Sequence, residues 1–260
     1  MYLKALISNF SMPVRMLVKI LIIICAFGAV SCSSESTIII NPDFSGQADI
    51  RIQVSDILFR YFQDITGNYQ LSSVFNSAEI LFELEKRKDI TVLQLNQPRK
   101  NTLELSLAFD NVNTLLAGEL PESVSEDIFI ISTLPNGKTK LTLNLNEHTI
   151  PALMDFAPVS NNVLSDYLLP ASGSSADPLA YKEDLVWVLE EYADAERIEK
   201  YIDDSAISFT FALPGPVHDV QGESAIVQSS FHNLGQDITF TLPIINLFTM
   251  TIQKNLYVIY

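Results

Sequence analysis

Apolar residues recur at every second position in several short runs of this chain, and that period demands a sheet with one buried face. Ala48, Ile50, Ile52 and Val54 alternate with Asp49, Arg51 and Gln53. Ile90 and Val92, then Leu103, Leu105, Leu107 and Phe109, keep the same period. The turn between those two strands is read at residues 96–101. A hairpin follows, residues 128–133 and 139–145, joined through Leu134-Pro-Asn-Gly-Lys138, whose Asn-Gly pair is a strong tight-turn signal. Further strands are read at residues 207–213, 225–231, 238–242 and 250–260.

Helical periods separate these strands. Ser55 offers an N-cap before the run from Ile57 to Phe62, and Gly67 offers the stop. A second helix is read from Ser77 to Lys88, with Ile80, Leu81 and Leu84 on one face, and residues 111–116 read as a short helical turn. Asp177 and Pro178 form a cap and first-turn pair for a third helix. Its apolar stripe is Leu185, Val188, Leu189 and Tyr192, with Trp187 beside it. A shorter helix spans residues 195–202. The order predicts an α+β fold, an antiparallel sheet packed on one face by helices, with room for two similar subunits of structure.

The chain divides further at its N-terminus. Arg15 and Lys19 precede the apolar stretch from Leu21 to Phe27, and Ala29-Val-Ser-Cys32 follows it. Charge, apolar run and small residues in this order read as an export signal, not as a spanning helix, which needs roughly 20 apolar residues. An uncleaved signal anchor is the alternative. Met12 or Met16 could serve as the start. The segment resembles the bacterial lipobox, with Ala29 at the position usually held by Leu. That resemblance implies cleavage before Cys32, diacylglycerol on its sulfur and acylation of its new amino group, so that acyl chains at Cys32 hold the protein to a membrane outside the cytoplasm. The expected division is a signal peptide at 1–31, a lipid-anchor tether at 32–45, an α+β unit at 46–169, a linker or surface loop at 170–178, and helices plus C-terminal strands at 179–260, completing the same unit or a second one.

Composition limits the partners. Residues 1–31 hold three of the 16 basic residues and none of the 31 acidic ones, so the remainder carries a formal charge of −18. Nucleic acid is excluded as a partner, since phosphate binding needs clustered Lys and Arg. The same charge argues against electrostatic adhesion to anionic lipid, leaving the acyl chains as the membrane hold. Cys25 and Cys32 are the two cysteines, so the body past the signal forms no disulfide and depends on core burial.

Motifs for chemistry are sparse. His148 lacks a second His at zinc-protease spacing, and His218 and His232 lie apart in sequence. No serine sits in Gly-x-Ser-x-Gly and no Gly-rich phosphate loop occurs. Glu183, Asp184, Glu190, Glu191, Asp194 and Glu196 lack calcium-loop spacing and read as a solvated helix face. No catalytic residue, metal or cofactor is assigned, and the chain reads as a non-enzyme. The apolar run from Leu242 to Ile252 is too short to cross a bilayer. Its Ile244, Leu247 and Phe248 are read as a buried strand or loop, with a hydrophobic ligand groove as the alternative.

The opening Gly46-Gln-Ala-Asp-Ile-Arg-Ile-Gln-Val54 and the later Leu213-Pro-Gly-Pro-Val217 resemble small bacterial lipoproteins of the LppM-like kind. In those, a strand-helix-strand-strand module ends near such a Pro-Gly. The resemblance covers parts of the chain and transfers no catalytic residue. Two functions follow as expectations: a lipid-anchored structural or interaction domain with an envelope protein partner, or a binding lipoprotein for an apolar or amphipathic ligand. A deep apolar pocket would favour the second.

Overall fold

The computed structural model describes residues 33–70, 72–112, 129–145, 177–222, 226–232, 235–249 and 254–260. Two sheets carry the fold. Strands β1 (Ser33–Ile40), β2 (Gly46–Gln53), β3 (Ile90–Arg99), β4 (Thr102–Phe109), β7 (Ala206–Leu213), β9 (Ile226–His232) and β10 (Gly235–Pro243) form a seven-stranded sheet in the order β3-β4-β2-β1-β7-β10-β9. Strands β5 (Phe129–Thr133), β6 (Thr139–Leu145), β8 (Asp219–Gly222) and β11 (Lys254–Ile259) form a second sheet in the order β5-β6-β11-β8. Helices α1 (Asp56–Thr66), α2 (Ser77–Leu84), α3 (Pro178–Leu189), α4 (Ala195–Asp203) and α5 (Ile244–Phe248) complete the described elements.

The expected α+β fold is present. Every pairing but one in the large sheet is antiparallel; β1 and β7 run parallel, from Ser33 opposite Ala206 to Ile39 opposite Ala212. Strands from either side of residues 170–178 share both sheets, so the C-terminal helices and strands complete the first unit.

One face of the large sheet is apolar and covered. Its rows run across the strands, as in Leu103, Ile52, Ser34, Ile207 and Leu242, or Leu107, Ala48, Ile38, Phe211 and Ile238. A single core joins these side chains to Leu58, Tyr61 and Phe62 of α1, Ile80 and Leu84 of α2, Tyr181, Leu185 and Leu189 of α3, and Ile198 and Ile202 of α4. Leu141, Leu143 and Leu145 of β6 and Leu256 and Val258 of β11 belong to the same core, so the small sheet also packs on the covered face. There β8 passes close over the large sheet. A Cβ on Gly222 would fall 2.2 Å from a Val227 methyl and 3.5 Å from the Phe240 ring, leaving room only for glycine.

Local chemistry sets most element ends. Ser55 accepts from the Leu58 amide and starts α1; Gly67, at φ 62°, stops it in the left-handed conformation that glycine adopts without penalty. Asp177 caps α3 through the Leu179 amide, with Pro178 in the first turn, and Asp194 caps α4 through the Arg197 amide. Asn136-Gly137 turns β5 into β6, with Gly137 at φ 79°.

Several expectations are corrected. Residues 33–40, assigned to a tether, form the central strand of the large sheet, because the β2 hairpin and β7 satisfy their backbone on both sides. Helix α2 stops at Leu84, four residues early. The turn expected over residues 96–101 contracts to Lys100-Asn101, since β3 is an edge strand and tolerates Pro98. Tyr192, expected within the α3 stripe, lies past the helix end, while Trp187, read beside that stripe, is exposed at 71 %. Most of the turn expected at 111–116, together with the strand starts expected at residues 128, 225 and 250, lies outside the described residues.

Tyr192, between α3 and α4, ties that connection to α1. Its ring meets Tyr61 edge-on at 5.9 Å, and its hydroxyl donates to an Asp64 carboxylate oxygen at 2.7 Å. Burial and that carboxylate raise the Tyr192 pKa; burial does the same for Tyr181. A raised native pKa contributes stability that is full below the ordinary tyrosine value of about 10 and is lost as pH rises through the native one. The melting temperature is therefore expected to fall above about pH 10, and less steeply in Tyr192→Phe.

Because β1 is central, a chain lacking residues 1–32 is expected to melt cooperatively. A chain lacking residues 1–45 leaves β2 and β7 unpaired on their inner edges and is expected to show no cooperative transition, since the loss exceeds a domain stability of about 5–15 kcal/mol. Circular dichroism melts of the two truncations check this.

Candidate functional site on the open face of the sheet

The second face of the large sheet is polar and carries no described helix or strand. Alternation dictates its content: each inward residue of a strand sends its neighbours outward. Three rows cross it in register. Glu104, Arg51, Glu35, Ser208 and Thr241 form one; Gln94, Ser106, Asp49, Thr37, Thr210, Thr239 and Gln228 the next; Ala108, Gln47, Ile39, Ala212, Asp237 and Ser230 the third. On the β7–β10 side, hydroxyls pair across strands, Ser208 with Thr241 at 3.0 Å and Thr210 with Thr239 at 2.8 Å.

On the β1–β4 side the face dips into a concavity of about 280 Å³, lined by Glu35, Thr37, Asp49, Arg51, Gln94, Glu104 and Ser106 together with Ile50 and Leu105. A register shift between Val92 and Gln94 places Gln94 opposite Ser106 and leaves Leu93 exposed, the re-aiming expected of a bulge. The Gln47 side-chain amide donates to both carboxylate oxygens of Asp49 and to the Ser106 hydroxyl. Arg51 pairs with Glu104 at 3.2 Å, with side-chain exposures of 55 % and 36 %. An ion pair so exposed contributes at most about 1 kcal/mol, so its groups are free to exchange partners at little cost. The surface is shallow, hydrogen-bonding and net acidic. It suits a polar macromolecular contact and offers no enclosure for an apolar ligand.

The residues singled out in the sequence lie elsewhere. Ile244, Leu247 and Phe248 form the buried side of α5, at 3 %, 4 % and 8 % exposure, with Phe248 edge-on to Tyr181. They are core, in a helical turn and not a strand. Cys32 and His148 lie outside the described residues. His218 is exposed beside β8, its backbone amide bonded to Ile259. Glu183, Asp184, Glu190, Glu191, Asp194 and Glu196 are all exposed, and among the described residues no three His, Cys, Asp or Glu side chains converge as metal ligands. No described helix is long and apolar enough to cross a membrane. The open face escaped sequence reading because its residues come from seven strands; the signal was present as the polar half of each alternation.

Fold and face together define an α+β protein with a one-sided sheet. No protein-family model matches the chain, and no curated protein matches it. Among solved structures, the NMR structure of the folded domain of LppM from Mycobacterium tuberculosis is similar over 89 % of this chain and 90 % of that one, with 11 % identity and a TM-score of 0.35.

Core and face respond differently to substitution. Leu247→Asp, Ile244→Asp or Phe248→Asp buries an unpaired charge and is expected to destabilise by several kcal/mol, about the stability of a marginal domain. Arg51→Ala is expected to stay within about 1 kcal/mol of the parent. Urea titrations of the four variants check the contrast.

Proposed function

We propose that this chain is a lipid-anchored domain of the bacterial envelope that acts by presenting the open face of its large sheet to a protein partner. The observation that carries the reading is the asymmetry of that sheet. One face is sealed by helices and a second sheet, while the other keeps three mostly polar rows, with Ile39, Ala108 and Ala212 in the third, uncovered by any described element. Here Arg51 stands between two carboxylates, Glu35 and Glu104, on its neighbouring strands, a charge pattern suited to orienting a partner and setting its encounter rate. The export-signal features before Cys32 support the anchor. The acidic body supports a partner met by basic or neutral groups, not a nucleic acid. The role is binding without catalysis, and it calls on no cofactor.

The anchor has a direct test. Intact mass of protein extracted from membranes is expected to show a chain starting at Cys32 with added diacylglyceryl mass. Cys32→Ala is expected to leave the membrane fraction. An Ala variant that still pellets with membranes would refute the lipid anchor.

A further inference from the structure

We infer that the surface facing the lipid headgroups is the end of the large sheet where β1 begins, so that the strands rise from the membrane and the open face stands free beside it. The inference rests on the lipid-anchor reading of Cys32. Ser33 is already the first residue of β1, locked between Gln53 of β2 and Ala206 of β7. The Cα of Cys32 lies ~3.8 Å from that of Ser33, so an acylated Cys32 leaves no tether to hold the body away. The attachment is also central. Three strands flank β1 on either side, about 14 Å of sheet at ~4.8 Å per strand, and no edge can pivot the end out of reach.

That end is closed by rigid groups. Asn101, in the β3–β4 turn, accepts from the Val54 amide and donates its side-chain amide to the Val54 carbonyl. Ser205, at the start of β7, accepts from the Ile244 amide. Lys100 faces Asp56 at 3.8 Å and Lys182 holds Asp203 at 2.7 Å, and with Arg99 ending β3 and Asp204 just before β7 the three cations and three acids along this end balance. The open face is different, with Glu35, Asp49, Glu104 and Asp237 against Arg51. Laying that face on an anionic leaflet would set like charges together, whereas the balanced end meets no such repulsion. The far end of the sheet, marked by Asp110 after β4, lies about 26 Å away along eight residues of strand.

The test uses the full lipidated chain, in which acylation blocks the sulfur of Cys32 and removal of residues 1–31 removes Cys25. Single variants Lys100→Cys, Asp204→Cys, Gln228→Cys and Asp110→Cys, each labelled with an environment-insensitive fluorophore, are placed in phosphatidylethanolamine–phosphatidylglycerol vesicles carrying a headgroup spin-labelled lipid. The expected result is strong loss of emission at positions 100 and 204, weaker loss at 228 on the open face, and none at 110. Position 204 stands in if Lys100→Cys melts below the parent. Quenching at 228 equal to that at 100 and 204 would mean the sheet lies face-down, and overturns the inference. Absence of quenching at all four in protein of full lipidated mass would mean the body stands off the bilayer, and also overturns it. Protein without the lipid mass that fails to bind vesicles would overturn the anchor reading and this inference together.

Discussion

The parallel pairing of β1 with β7 is the constraint on which the rest of the structure depends. It is the seam between β3-β4-β2 on one side and β10-β9 on the other, and without it the large sheet is two antiparallel pieces. The pairing is not driven by apolar side chains at its lower half, where β1 turns Ser34 and Ser36 into the core at 1 % and 3 % exposure. Backbone hydrogen bonds to two neighbours hold it there. The partners are more than 160 residues apart in sequence, so the seam closes late against a large loop entropy, and a slow folding rate follows.

Closing that seam makes the sheet one-sided. Both helical pairs, the short α5 turn and the second sheet crowd onto the face that carries Leu105, Ile50, Phe209 and Phe240, and these form one continuous core. The other face is left with hydroxyls, amides and a few charges. Its cross-strand hydroxyl pairs satisfy one another, so exposure to water costs little, and exposure to a partner changes little in the fold. The division of labour is physical: stability resides almost wholly on one side of the sheet, and the other is free to vary in chemistry.

The same seam fixes how an anchor at Cys32 would act. A lipid attached through a flexible leader lets a domain sample many orientations, because each added linker residue lengthens the reach. Attachment at the first residue of a central strand removes that freedom and converts a membrane address into an orientation. Force on the anchor would load β1 along its own axis, against two ladders at once.

Local physics was legible in the sequence wherever one residue type decides a conformation. Ser55 and Gly67 bracket α1, Asp177-Pro178 starts α3, Asn136-Gly137 turns the hairpin, and the alternations of β2, β4, β7 and β10 mark their buried sides, because caps, turns and periods act within a few residues. What the tertiary structure alone decided is everything set by distant partners. Ser33-Ser-Glu-Ser-Thr37 has the composition of a tether and becomes the central strand because β2 and β7 both offer it free backbone groups. Ile244 to Phe248 has the composition of a strand and becomes a helical turn because Ser205 and Tyr181 hold it from outside its own segment. The open face exists in no single stretch of chain. Its residues become neighbours only once seven strands align, since register between strands is a property of their pairing and not of any one of them.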